Sequence, residues 1–249
     1  MRKIAVALSK GGVGKTTTAI SLAGGLAKAG QRVLLVDMDT QGQVAKALGQ
    51  RPQAGVAEMV MSELAPEQVV MEAREGIWLL AGGRSLAGLK RVIARKDFGG
   101  EQTLAEALAP LDGKYDVALV DTAPAWDTLT VNALFYATEV LVPVSLEVMA
   151  LQGLIEFVRA LTPIQRYHAD LKLRYVVPTF MDRRVKKSEE ILAQLKGHYA
   201  GVICEPIRYN VRLSEAPGYG QTIFEYAPRS PGAADYQRLT ERILGDGQA

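Results

Sequence analysis

Three features of the sequence predict an α/β fold built on one doubly wound, mostly parallel sheet with helices on both faces. Short apolar runs recur along the chain with helical stretches between them, the alternation expected of a parallel sheet. These runs are nearly continuous rather than alternating in polarity, as strands buried on both faces should be. A glycine-rich segment stands between the first run and the first helical stretch, so the chain opens as strand, loop, helix and strand.

The first run covers residues 4–8 and leads directly into the glycine segment. A stretch rich in Ala, Leu and Lys follows at 16–29, and Gly30 supplies its C-terminal stop. Further strands are predicted at 33–36, 77–80, 117–120, 140–144 and 173–177. Near the end, Pro231 sits one step inside a Ser230 cap and opens a helix from Gly232 to about Leu244, with Tyr236, Leu239, Ile243 and Leu244 available for packing. Residues 49–76 give the least clear pattern. With no internal repeat, low-complexity tract or Ser/Pro linker, the chain reads as a single domain over residues 1–249, with disorder allowed for in the last few.

Composition narrows the function classes. At 48% hydrophobic and 22% charged residues in a chain of 249, general disorder is excluded. The one cysteine, Cys204, cannot close an internal disulfide, and the run after Lys3 is too short for a secretory signal, so a cytoplasmic protein is expected. No apolar run approaches the ~20 residues of a membrane span. The C-terminus, Gly245-Asp246-Gly247-Gln248-Ala249, carries no basic amphipathic tail, so no membrane partner is expected. A net charge of +2 permits nucleic-acid binding without implying it. His168 and His198 show no metal-ligand spacing, and Trp78, Trp126 and Cys204 are assigned to the core.

Residues 9–18 read Ser-Lys-Gly-Gly-Val-Gly-Lys-Thr-Thr-Thr. Glycines let a backbone turn tightly and aim its N–H groups at phosphate oxygens, and the positive end of the following helix adds to that field. Lys10, Gly11, Gly12, Val13, Gly14, Lys15, Thr16 and Thr17 are therefore assigned to nucleotide binding, with ATP and Mg2+ as cofactors. Lys15 can reach the β and γ phosphates, the Thr16 hydroxyl can ligate magnesium, and Thr17 is placed for the α phosphate. The competing reading, a structural glycine turn, does not explain the lysine and threonines.

Two strands end in carboxylates. Asp37 and Asp39 leave the carboxyl end of the second strand, where open parallel sheets bind ligands. Asp39 is assigned to orienting the attacking water and Asp37 to supporting the site, although either could cap the next helix. Asp121 terminates the apolar run at 117–120 in the manner of a Walker B strand, and would hold magnesium through water.

Position 9 is Ser rather than Gly and Lys10 opens the loop, so the segment resembles the deviant Walker A pattern K-G-G-x-G-K-[ST] of the ParA/MinD superfamily. Asp37-Met38-Asp39-Thr40-Gln41-Gly42 is similar to that superfamily's D-x-D-P-Q-G, with Thr40 for proline. Asp121-Thr122-Ala123-Pro124 is similar to D-x-P-P, with Ala123 for proline. Ala150 to Leu154 resembles A-L-E-G-L, with Gln152 for the acid, and Val211-Arg212-Leu213-Ser214-Glu215-Ala216-Pro217 resembles the ParA/Soj branch in particular.

The resemblance implies a slow ATP hydrolase in which Lys10 reaches across an ATP-dependent sandwich homodimer to the other subunit's nucleotide. Lys10, Lys15 and Asp39 are then the catalytic set. It also implies nonspecific DNA binding on the nucleoid, a ParB-like activator or cargo adaptor, and a role in chromosome or plasmid partition. Asn210, in the Ile207-Arg208-Tyr209-Asn210 segment that stands where I-P-R-N is common, is carried over to adenine binding. Arg184 and Arg212 match the family's DNA-binding positions. Arg183, Lys186, Lys187 and Arg208 could add phosphate contacts, or form an ordinary solvated face. Three other readings remain at this stage: a positioning ATPase for a protein cargo, a MinD-like membrane switch, and a metabolic P-loop enzyme such as a ligase.

Overall fold

The computed structural model describes residues 1–62, 64–182 and 184–247. Among them, β1 (Arg2–Val6), β2 (Val33–Met38), β3 (Met71–Arg74), β4 (Ile77–Leu80), β5 (Val117–Thr122), β6 (Glu139–Ser145) and β7 (Lys172–Thr179) form one sheet in the order β3-β4-β2-β5-β1-β6-β7. Every neighbouring pair is parallel except β3 with β4. The helices are α1 (Lys15–Lys28), α2 (Gln43–Ala47), α3 (Val56–Met61), α4 (Pro66–Val69), α5 (Leu86–Ala94), α6 (Thr103–Leu108), α7 (Thr128–Tyr136), α8 (Ala150–Tyr167), α9 (Lys186–Tyr199), α10 (Val211–Glu215), α11 (Ile223–Tyr226) and α12 (Pro231–Asp246).

Successive strand residues enter opposite cores. Val33 and Leu35 of β2 pack with Leu22 and Leu26 of α1 and with Tyr236, Leu239 and Ile243 of α12. Leu34 and Val36 face the other way, onto Met59 of α3, Leu89 of α5 and Leu104 of α6. On the β6 side, Val140 and Val142 meet Leu154, Phe157 and Leu161 of α8. Both faces of each central strand are covered, which is why the runs are apolar throughout.

The six predicted strands are all present and most are longer than their apolar runs, but the first is shifted, ending at Val6 rather than Leu8. The first begins at Arg2, whose guanidinium pairs with Glu139 at 2.7 Å. Gly30, at φ 83°, ends α1 as expected, and its N–H donates to the Ala27 carbonyl at 2.9 Å. Ser230 caps α12 through the Ala233 N–H at 3.1 Å. The stretch at 49–76 holds α3, α4 and the antiparallel β3, which carries a register shift between Glu72 and Arg74. At the opposite edge β7 is covered by residues 202–208: the Val176 N–H donates to Val202 O and the Ile207 N–H to Pro178 O, both at 2.8 Å.

α1 lies against α12 at a glycine contact. A Cβ on Gly25 would overlap the Thr240 hydroxyl and stand 3.3 Å from a ring carbon of Phe224. Gly25→Leu is expected to cost about 3 kcal/mol by overpacking, read as a lower urea midpoint with unchanged slope. An unaltered midpoint would show that the helices separate without penalty.

Candidate functional site

The parallel register brings the functional strand ends together. Val6 at the end of β1 and Asp37 of β2 are both register partners of Asp121 on β5. The loop that follows β1 therefore wraps the carboxyl ends of the central strands and enters α1 through Gly14, whose φ of 89° is a conformation natural to glycine. Thr179 of β7 donates to the Val13 carbonyl at 2.9 Å and anchors the loop from the other side.

Lys15 is only 7% exposed, and its Nζ donates to the Lys10 carbonyl at 2.8 Å inside the loop. Burial lowers its pKa, opposed by the charges of Asp121 and Asp39. Asp121 is fully buried. Its Oδ2 accepts from the Thr16 hydroxyl at 2.7 Å, and its Oδ1 has no hydrogen-bond partner among the described residues. Burial and the neighbouring Asp37 push its pKa well above the ordinary carboxylate range. A buried carboxylate with an orphaned oxygen, beside a hydroxyl, is a donor set short of a positive charge. Such a set fits a magnesium ion, which Thr16 and Asp121 would hold.

Asp37 is buried too, and it does cap. Its Oδ1 accepts the Asp39 N–H at 2.9 Å and its Oδ2 accepts the Val44 N–H of α2 at 3.2 Å, so one carboxylate sets the turn between strand and helix. Asp39 is half-buried, with Oδ1 on the Gln41 N–H at 2.9 Å. The turn is closed from outside by Gly82, where a Cβ would lie 2.5 Å from the Asp37 carbonyl oxygen and 2.8 Å from that of Asp39. Nothing near Gly82 in the chain singles it out, because its constraint comes from a neighbouring strand.

Burial raises the Asp37 pKa to about 6 from an ordinary 3.8. A raised folded-state value means that the stabilising contribution is complete below the ordinary carboxylate range and is lost as pH rises through about 6. At about 1.4 kcal/mol per pKa unit, the loss is about 3 kcal/mol. Nucleotide-free wild type should therefore lose roughly that much stability relative to Asp37→Asn between pH 4 and pH 7.5 in urea titrations. A constant difference between the two proteins across this range would contradict the assignment.

Lys10 stands apart from Lys15. Its side chain is 36% exposed, and its Nζ lies 3.0 Å from Glu147 Oε2 on the loop before α8. Lys10, Trp126, Met149 and Gln152 border an open cavity of about 460 Å³. Trp126 corrects the core assignment: it is 37% exposed and meets Phe157 edge-on at 5.6 Å, because it follows β5 onto a rim the helices leave open. Trp78 is half-buried against Tyr115, and Cys204 is buried as expected. His168 is held by the Ala137 carbonyl at 2.7 Å, a structural role.

A second cavity, of about 240 Å³, opens beside Gly14 and Thr17 and is bordered by Phe180, Tyr209 and Asn210. Asn210 combines this position with capping α10, its side chain accepting the Arg212 N–H at 2.9 Å. Phe180 takes a left-handed φ of 56°, uncommon for an aromatic residue, and nothing in the sequence marked it.

The described residues assigned to DNA lie on α9, α10 and the loops before them. Arg184 is paired with Asp182 at 2.8 Å, Arg212 with Glu215 at 2.7 Å and Lys187 with Glu190 at 3.0 Å. Lys186 is exposed at the start of α9, and Arg183 lies outside the described residues. Arg208 differs from the others in its partner: its backbone N–H, Nε and Nη2 reach the buried Asp235 at 2.8 to 3.1 Å, while its side chain stays 37% exposed. Among the described residues no helix is long and apolar enough to cross a membrane.

A family model described as an AAA domain matches residues 1–173. The chain is 40% identical to the chromosome-partitioning ATPase Soj of Thermus thermophilus over 246 residues, covering 98% of this chain and 96% of that one. It is 34% identical to the sporulation initiation inhibitor protein Soj of Bacillus subtilis, covering 98% of each. Among solved structures, it is similar to cobyrinic acid a,c-diamide synthase from Mycobacterium smegmatis with bound ATP analogue and magnesium. That match has a TM-score of 0.87 and 33% identity, over 100% of this chain and 96% of the other.

Proposed function

From the premise that the chain belongs to the Soj/ParA family of partition ATPases, we propose that it works as an ATP-gated homodimer that holds duplex DNA without regard to sequence and lets go on hydrolysis. The observation that carries this reading is the division between the two loop lysines. Lys15 is buried in its own loop, whereas Lys10 points outward to a solvent-exposed counter-ion, where a second subunit can be reached.

In this reading the backbone of residues 11–15 cradles the phosphates, and Lys15 exchanges the Lys10 carbonyl for phosphate oxygens. Thr16 and Asp121 would hold the magnesium ion, which would supply charge neutralisation to the phosphates. Asp39 orients the attacking water, and the products are ADP and phosphate. Lys10 leaves Glu147 to complete the partner's site. Dimerisation doubles the cations offered to one duplex, and the electrostatic contribution to affinity grows with the number of phosphates neutralised. Basal turnover is slow until a ParB-like activator engages the dimer, for chromosome or plasmid partition.

The test is binding to random-sequence duplex DNA with magnesium and ATP, compared with ADP, over a salt series. Salt-sensitive binding in ATP alone is the expected result; equal binding with both nucleotides removes the gate. Lys10→Ala should lose ATP-dependent dimerisation in light scattering, and a normal dimer would end the sandwich mechanism. The activity named for the mycobacterial protein prompts a second reading, an amide-forming ligase. It predicts ATP turnover that waits on a carboxylic-acid substrate rather than on DNA and a protein activator.

A further inference from the structure

We propose that Asp182 and Glu215 act as internal substitutes for phosphate. They occupy the two arginines assigned to the duplex and hold DNA affinity down until phosphates displace them. The inference rests on the duplex-binding reading above and names the residues that set its strength.

The geometry at Arg184 is that of a bound anion. Although its side chain is 86% exposed, Nε and Nη2 both reach the Asp182 carboxylate, at 3.0 and 2.8 Å. This is the two-pronged contact a guanidinium offers to phosphate. Asp182 is itself held, because its Oδ1 also accepts the Arg184 backbone N–H at 3.0 Å. At Arg212 the carboxylate comes from one turn along α10: Nη1 lies 2.7 Å from Glu215 Oε2. That oxygen is fixed from the far side by the Tyr226 hydroxyl at 3.0 Å, and Tyr226 is stacked on Tyr219 with ring centroids 5.0 Å apart.

Exposed ion pairs are ordinarily mobile and weak, because two long side chains must be ordered for a screened attraction. Here a backbone donor and a stacked phenol already order the acidic partners. Lys187 is neutralised in the same way by Glu190, which leaves Lys186 as the cation of this patch without an ion pair among the described residues. A phosphate arriving at either arginine must replace a carboxylate, so each contact yields only the difference between two anions. One subunit then holds DNA poorly. A dimer, with twice the number of small gains on one duplex, crosses the threshold.

The experiment uses the full chain and a fluorescently labelled random-sequence duplex, read by anisotropy with Mg·ATP and with Mg·ADP. It compares wild type, D182N/E215Q, and E189Q/E205Q. The last removes the same charge from exposed carboxylates that pair with no arginine among the described residues. At roughly threefold per released pair, D182N/E215Q should bind about tenfold more tightly in ADP, as a single subunit, and about 80-fold more tightly in ATP, where the dimer releases four pairs. E189Q/E205Q should change affinity by no more than about twofold. Adding R184A/R212A to D182N/E215Q should abolish the gain, and DNA-free ATP hydrolysis should be unchanged. Binding by D182N/E215Q alone would also support the proposal, since wild type would then be masked. If D182N/E215Q only matches E189Q/E205Q while wild type binds in ATP, the proposal fails and the duplex reading stands. If no variant binds, both fail.

Discussion

Lys15→Ala should abolish ATP hydrolysis, with kcat/KM reduced by at least about 100-fold, because it removes the one cation buried in the site among the described residues. The Lys15 ammonium is held within the loop by a carbonyl, with its pKa lowered by burial and supported by Asp121 and Asp39. A desolvated charge already in place needs little reorganisation to meet a phosphate, and its electrostatic effect is larger than it would be in water. Alanine leaves the Lys10 carbonyl without this donor and two acidic groups without their cation, so nucleotide affinity should fall together with turnover. Calorimetric titration of Mg·ATP, alongside a melting curve to confirm folding, separates these effects. Retained affinity with lost turnover would confine Lys15 to the transition state, and near-normal turnover would displace it from the site.

Asp39→Ala should have an effect of similar size on turnover and little on binding. The Asp39 side chain accepts one hydrogen bond in the structure, from the Gln41 N–H, while the turn is kept by its backbone N–H on Asp37 and by its carbonyl, which accepts from Gly42 and Gly83, both at 3.1 Å. Removing the carboxylate therefore spares the fold. On the role proposed for it, positioning of the attacking water would be lost, and hydrolysis should slow by about 100-fold or more. ATP should still bind and the dimer should accumulate, read by light scattering with Mg·ATP. A variant that hydrolyses at the wild-type rate would move the water-orienting role elsewhere.

The sequence displayed its fold where a run was long and apolar. Residues 77–80 coincide with β4, Ser230-Pro231 opens α12 and Gly30 ends α1. Residues 49–76 did not, because α3, α4 and β3 have six, four and four residues, too short for either periodicity to declare itself. In the site, the loop was legible because its chemistry is written in consecutive residues. The acidic partners Asp182, Glu215 and Glu147 were not, since an ion pair between exposed side chains depends on rotamers that sequence does not encode. Gly82 was hidden for a related reason: its neighbours in space, Asp37 and Asp39, are more than forty residues away in the chain.

The two ends of the sheet bear on how copies of this protein can meet. β3 is four residues long, interrupted by a register shift and lined by Glu72 and Arg74, while β7 has its outer hydrogen bonds already taken by residues 202–208. Neither border offers the long, flat row of free amides on which strand addition depends. Runaway edge-to-edge polymerisation is thereby suppressed, and the homodimer proposed above would instead join its subunits through the loops at the carboxyl ends of the strands.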